Sequence, residues 1–189
     1  MESLVSRLRT ALETLKPGLS SCLRPGLDEA GLASLETSLG VRLPDDVREF
    51  YTLVDGQLPD GPGLWDGTEL LNSDRIVKEW TIWKNLLDGG EFEESRCEPA
   101  AGIKDDWWSA KWIPLTYNGS GDHHSLDLDP AAGGRHGQII MMWHDDPTRP
   151  LLARSFRAWL EEYCDGLERG DYVYSEEEYF AVVNKEDVS

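Results

Sequence analysis

WIPLTYNGSGDHHSLDLDPAAGGRHGQIIMMW, residues 112–143, decides the fold. The flanking chain repeats its apolar residues with the period of a helix, and this stretch does not. Trp112 to Tyr117 is strand-like, and Pro114, with no N–H to offer a neighbouring strand, suits an edge or a strand start. Asn118-Gly119-Ser120-Gly121 reads as a turn. His124, Leu126 and Leu128 then alternate with His123, Ser125 and Asp127, the pattern of a half-buried strand. Asp129 to Arg135 turns the chain again, and Gln138 to Trp143 is an apolar strand. Strands joined by short turns give an antiparallel meander.

Outward from this sheet the spacing predicts helices. Leu4, Leu8, Leu12 and Leu15 place one over residues 2–16, stopped by Lys16-Pro17-Gly18. A second runs from Asp28, a natural N-cap, to Gly40. Pro44 and the acidic pair Asp45-Asp46 start a third, whose apolar face is Val47, Phe50, Tyr51 and Val54 and whose end is Asp55-Gly56. Ser73 caps a fourth bearing Ile76, Val77, Trp80, Trp83 and Leu87, ended by Gly89-Gly90. Ser155 opens another, with Phe156, Trp159, Leu160 and Tyr163. Residues 57–68 and 91–111 read as loops, Tyr172-Val173-Tyr174 as a short strand, and Ser175 with Glu178 as a capping box for a last short helix. The expected class is α+β, an antiparallel sheet packed with helices. One domain fills residues 1–189: a core over about 28–168, an N-terminal helical extension over 1–17, and an acidic C-terminal extension over 170–189.

Bulk composition narrows the function. At 21.3 kDa the folded surface should be roughly 9,000 Å², enough enclosed volume for an independent core. The 3 cysteines form no C-x-x-C pair, so neither a disulfide framework nor a zinc knuckle is indicated. No run approaches a membrane span and the N-terminus lacks a signal-peptide core, which makes the cytoplasm the expected address. Lys and Arg number 18 against 36 Asp and Glu, a net charge of −18. Such a field repels phosphate backbones, excluding direct nucleic-acid binding, and attracts a basic protein partner. Acidity for solubility alone usually involves a magnitude of about 2–8 in a small domain.

The order of several short motifs resembles the SUKH superfamily, which contains fungal cell-wall assembly regulators and many bacterial immunity proteins. The matching pieces are Leu39-Gly40-Val41-Arg42-Leu43-Pro44 leading into Phe50-Tyr51 and Asp55-Gly56, then Trp112-Ile113-Pro114-Leu115. Gly121-Asp122, Leu126-Asp127-Leu128-Asp129-Pro130, Gly137-Gln138-Ile139-Ile140 and Ala153-Arg154-Ser155-Phe156 with Trp159-Leu160 follow, covering about residues 30–165. Asp55-Gly56 stands where the family usually has Asn-Gly, and the first helix and the tail after Gly170 lie outside the pattern. The resemblance implies helices packed on an antiparallel sheet and a binding role. It implies either neutralisation of a cognate toxin, often a nuclease and hence basic, or regulatory scaffolding. Because the fungal regulators are longer, with flanks absent here, the resemblance favours immunity; the regulatory scaffold is the alternative.

Partner-binding candidates combine exposed aromatics with carboxylates: Trp65 and Asp66, the run Asp105-Asp106-Trp107-Trp108, and Asp122 and Asp127. Tryptophan anchors interfaces and acidic neighbours steer a cation, although an indole in a loop can equally fold back as a lid on the core. Asp122-His123-His124 with Asp127, Asp129 and His136 invites a metal reading. Adjacent strand residues point to opposite faces, and His123 and Asp127 are about 13 Å apart on one face at roughly 3.4 Å per residue, so no ligand set is expected. No nucleophile elbow, P-loop, dinucleotide glycine pattern or H-E-x-x-H is present, so no catalytic residue and no cofactor are expected. A hydrolase or metal enzyme built on Asp122, His123 and His144 is the remaining alternative.

Overall fold

A computed structural model describes residues 1–176 and 180–188. The helices form where the apolar spacing places them. Helix α1 (Glu2–Leu15) buries Leu4, Val5, Leu8, Ala11 and Leu12 along one side. In α2 (Glu29–Leu39) the Asp28 carboxylate accepts a hydrogen bond from Gly31 N, and Gly40 closes the helix in the left-handed conformation. Pro44 precedes α3 (Asp45–Leu53), which buries Val47, Phe50 and Tyr51. Helix α4 (Ser73–Asp88) is capped one residue earlier than expected, by Asn72, whose side chain accepts from Arg75 N at 3.1 Å. Ser155 caps α5 (Phe156–Arg169), accepting from Ala158 N.

The strands pair as β1 (Leu23–Pro25) with β2 (Val54–Gln57), and β3 (Glu69–Leu70) with β6 (Thr116–Tyr117), both antiparallel. Strand β4 (Glu98–Pro99) runs parallel to β9 (Thr148–Arg149). The central antiparallel sheet contains β5 (Trp112–Pro114), β7 (His123–Asp127), β8 (Gln138–Met142) and β10 (Leu151–Ala153) in the order β10-β8-β7-β5. Pro114 therefore lies on an edge strand, where a missing N–H costs no ladder bond. A hairpin of β11 (Tyr172–Ser175) and β12 (Ala181–Asn184) follows.

Two differences from the sequence reading have physical causes. Asp55-Gly56 does more than end α3: the chain passes directly into β2, with Gly56 at φ 58, where a Cβ would sit 2.3 Å from Leu71 O. Only glycine tolerates that crossing, and the buried Asp55 carboxylate accepts from Ser73 N at 2.7 Å. The strand read as half-buried is covered on both faces. Ile113, Leu126, Ile139 and Ala153 meet the core of α1, α3 and α5, while Trp112, Ile140 and Met142 meet Trp83, Ile103 and Trp108. Asp127 is therefore 0% exposed, because residues 91–111 fold down over the polar face.

The first helix and the β11–β12 pair are built into the fold. Arg7 of α1 bridges Asp165 and Glu168 of α5 at 2.6 Å each. The β11–β12 hairpin docks on residues 63–67, with Gly67 N donating to Val182 O at 2.7 Å and Val182 N to Gly63 O at 2.8 Å. Ser175 ends β11, and the expected last helix otherwise falls on residues 177–179, outside the described ones. The accessible surface, 9218 Å², agrees with the mass scaling.

Candidate functional site

The sequence candidates separate into a surface cleft, a buried stack and two structural carboxylates. The cleft, about 240 Å³, lies where the end of α4, the turn after it and the 105–108 loop meet, lined by Phe92, Glu93, Asp105, Asp106, Trp107 and Trp108 among others. Its floor is aromatic. Trp83 stacks on Phe92 at 5.7 Å and on Trp108 at 6.2 Å, and Trp108 is only 3% exposed. Trp108 is thus a lid on the second core cluster, while Trp107 stays half-exposed at the rim. Glu93, Asp105 and Asp106 are exposed and make no ion pair among the described residues.

The 105–108 loop is held from below by Arg149. This guanidinium is 0% exposed and makes no ion pair within 4 Å among the described residues; it donates to Asp146 O (2.6 Å), Thr148 O (2.7 Å) and Trp107 O (2.7 Å). The rings of Trp107 and Trp112 lie 5.1 and 6.0 Å from it. Burial lowers its pKa from the usual arginine value. Nothing in the one-dimensional pattern marks Arg149, because its partners are backbone carbonyls brought together by β9 and the loop.

Trp65 was expected in an open loop and lies instead in the core, 2% exposed. It stacks on Trp159 at 3.9 Å and on Tyr163 at 4.0 Å, so polar neighbours in sequence concealed a core residue. Asp66 is half-buried, and its Oδ1 accepts from Asn184 N at 3.0 Å. Asp127 is fully enclosed, accepting from Gln138 Nε2 at 2.8 Å and Asp129 N at 3.0 Å. Desolvation raises its pKa, the hydrogen bonds acting in the opposite direction. It offers a partner no surface.

Asp122, at 8% exposure, accepts at Oδ1 from both the backbone N and Nδ1 of His144, each at 2.8 Å. That hydrogen bond is the main reason the His144 pKa is raised. Asp145 Oδ2 lies 3.6 Å from His144 Nε2. Asp122, His144 and Asp145 bring three possible ligand atoms within 4.8 Å of one another, but Asp122 is already engaged, Oδ1 by His144 and Oδ2 by Asn118 Nδ2 at 2.6 Å. His123 takes no part in it. Its Nδ1 lies 2.7 Å from Thr116 O, and burial pushes its pKa down to about 4. The histidines and carboxylates of residues 122–129 are thus each engaged separately, on two faces of the sheet.

Fold and surface together define a strongly acidic α+β domain whose antiparallel sheet is enclosed between two apolar layers. Residues 26–162 match the SMI1 / KNR4 family (SUKH-1), and the chain belongs to that family. It is 28% identical, over 81% of its length, to the cell wall biosynthesis/cell cycle regulator smi1 of Schizosaccharomyces pombe. Against the cell wall assembly regulator SMI1 of Saccharomyces cerevisiae it is 23% identical over 87%. Against F-box only protein 3 of Bos taurus it is 24% identical over 94%. The chain spans 33%, 40% and 36% of these relatives' lengths. The greater length of the fungal regulators therefore does not argue for immunity, since the likeness concerns a domain-sized part of them. Among the described residues no helix is long and apolar enough to cross a membrane.

Proposed function

We propose that this chain is a non-catalytic regulatory binding domain of the cell-wall-assembly-regulator type, and that its acid-rimmed aromatic cleft takes a basic region of a protein partner. The observation that carries the regulatory reading is the likeness to relatives named as cell wall regulators over more than four-fifths of the chain. That naming is why regulation is preferred to toxin inhibition, which the acidity would also suit. The cleft supports the binding half: unpaired carboxylates on a rigid aromatic floor attract and anchor a cation. Two unit charges 4 Å apart gain about 1 kcal/mol in water and about 4 at an effective dielectric of 20, so partial desolvation on docking strengthens each pair, less its own cost.

Exchanging the matching segment of the S. pombe relative for this chain tests both halves. The exchanged protein should support normal growth, and the same exchange carrying Asp105→Lys and Asp106→Lys should not. A folded, expressed exchange that restores nothing contradicts the regulatory reading. Equal rescue by the charge-reversed form removes the cleft from it.

A further inference from the structure

A second cavity, about 220 Å³, opens above the aromatic stack on the other side of the molecule's sheet. Trp65, Trp159, Tyr163 and Tyr172 wall it, and Asp66 and Glu162 stand beside them. Small-molecule sites usually begin at about 300 Å³, so this volume suits a single side chain better than a cofactor.

Its walls are rigid. Trp65 lies within 27° of parallel to Tyr163, and Tyr172 meets Tyr163 edge-on at 4.9 Å. The Tyr163 hydroxyl is tied to Leu64 O at 2.7 Å. Asp66 is fixed by a left-handed backbone, φ 45, and by its bond from Asn184 N to Oδ1. Desolvation raises the pKa of its carboxyl, the signature of a charge short of compensation. Glu162 is exposed and has no ion-pair partner among the described residues. Trp159 Nε1–H donates to His124 Nδ1 at 3.2 Å, which leaves the His124 proton on Nε2, and burial lowers its pKa to about 4, so the imidazole is neutral. Of the cations on α5, Arg157 lies 3.8 Å from Glu161 and Arg169 is committed to Asp171 at 2.7 Å. The cavity thus combines π faces with two carboxylates and contains no positive charge of its own.

We propose that this cavity receives one arginine side chain of a protein partner, its guanidinium lying on the aromatic wall and forking to Asp66 and Glu162. Arginine is favoured over lysine because a flat, weakly hydrated guanidinium both stacks on indole and phenol rings and pairs with carboxylates through a fixed fork. The inference rests on the protein-binding reading above and assigns the chemistry of one contact within it.

The probe is a blocked tripeptide, acetyl-Gly-Arg-Gly-amide, set against its citrulline analogue, which keeps the shape and loses the charge. Titrated into the full-length, ¹⁵N-labelled chain, the arginine peptide should shift the Trp65 and Trp159 indole signals saturably, and the citrulline peptide should not. Glu162→Gln, at an exposed site, should weaken binding about 2- to 5-fold, and Asp66→Asn about tenfold. No saturable shift, equal shifts by both peptides, or full affinity in both variants overturns the proposal. If the exchange in the S. pombe relative still rescues growth while the arginine peptide fails, the pocket falls alone. Failed rescue beside intact arginine binding removes the regulatory reading and leaves the pocket.

Discussion

The two faces of the central sheet are covered by different means. One meets α1, α3 and α5 through aliphatic and aromatic side chains, with Phe50 packed edge-on against Tyr51 at 5.4 Å and Phe156 at 5.1 Å. The other meets the end of α4 and a mostly irregular segment, residues 91–111, over a layer that includes Ser125, Asp127, Gln138 and Arg149, all buried. Apolar contact holds the first; on the second, a smaller apolar cluster around Trp83, Trp108 and Trp112 is joined by hydrogen bonds from buried side chains to backbone. The contrast shows how one small domain separates stability from recognition. A close-packed face can be rigid without being specific, whereas a loop pinned by a few directional bonds can keep carboxylates and an indole at the surface.

The largest effect should come from the first face. Phe50→Ala removes a ring with 0% exposure and should cost about 3–5 kcal/mol, lowering Tm by roughly 10 °C or more. Urea unfolding would show a single transition moved to lower denaturant, with its slope kept. On the second face, Arg149→Met deletes three charge-assisted bonds and should cost about 2–3 kcal/mol. There the loss should be local: amide exchange should quicken within residues 91–111 while α3 and α5 stay protected. Equal quickening on both faces would erase the distinction.

Acid should act next. His123 and His124 are held neutral, their pKa values lowered to about 4 by burial. The unfolded chain binds those protons near the ordinary value of about 6.5, so each histidine's contribution is intact above that and is lost as pH falls toward 4. Between pH 7 and pH 5 the loss should be about 1–2 kcal/mol per histidine. Asp55, Asp66 and Asp127, their carboxyls raised chiefly by desolvation, work in the opposite sense. His124→Asn keeps an acceptor for Trp159 and removes one titration, so its stability difference between the two pH values should be smaller than in the parent. An unchanged difference would mean that His124 already titrates normally in the fold. Smallest of all, Asp105→Asn with Asp106→Asn should leave stability within about 0.5 kcal/mol, since both side chains are exposed.

Much of the fold was legible in the sequence because its signals are local. Asp28 and Ser155 as caps, Gly40 as a helix end, and Pro114 on an edge strand each express one residue's own geometry. What was missed depends on distant packing. The alternation from His123 to Leu128 reports one apolar face correctly, but the covering of the other is decided by residues 91–111, which carry no period. Trp65 sits among Gly, Pro and Asp in sequence, yet the two rings beneath it, Trp159 and Tyr163, come from α5. Strand β12 shows itself only through its pairing with β11 and the 63–67 segment. Of the candidate site residues, Asp105, Asp106 and Trp107 were placed at the surface as read, whereas Trp108 and Asp127 are spent on the core.

The 8 tryptophans provide reporters on both faces for the direct test. In a ¹⁵N titration with a lysine-rich peptide, the Trp107 indole should move first and furthest at low ionic strength. High salt should suppress the shift, and Asp105→Asn with Asp106→Asn should weaken it several-fold. A response that ignores salt, or one that leaves Trp107 untouched while indoles elsewhere move, would contradict a basic partner at the acidic cleft.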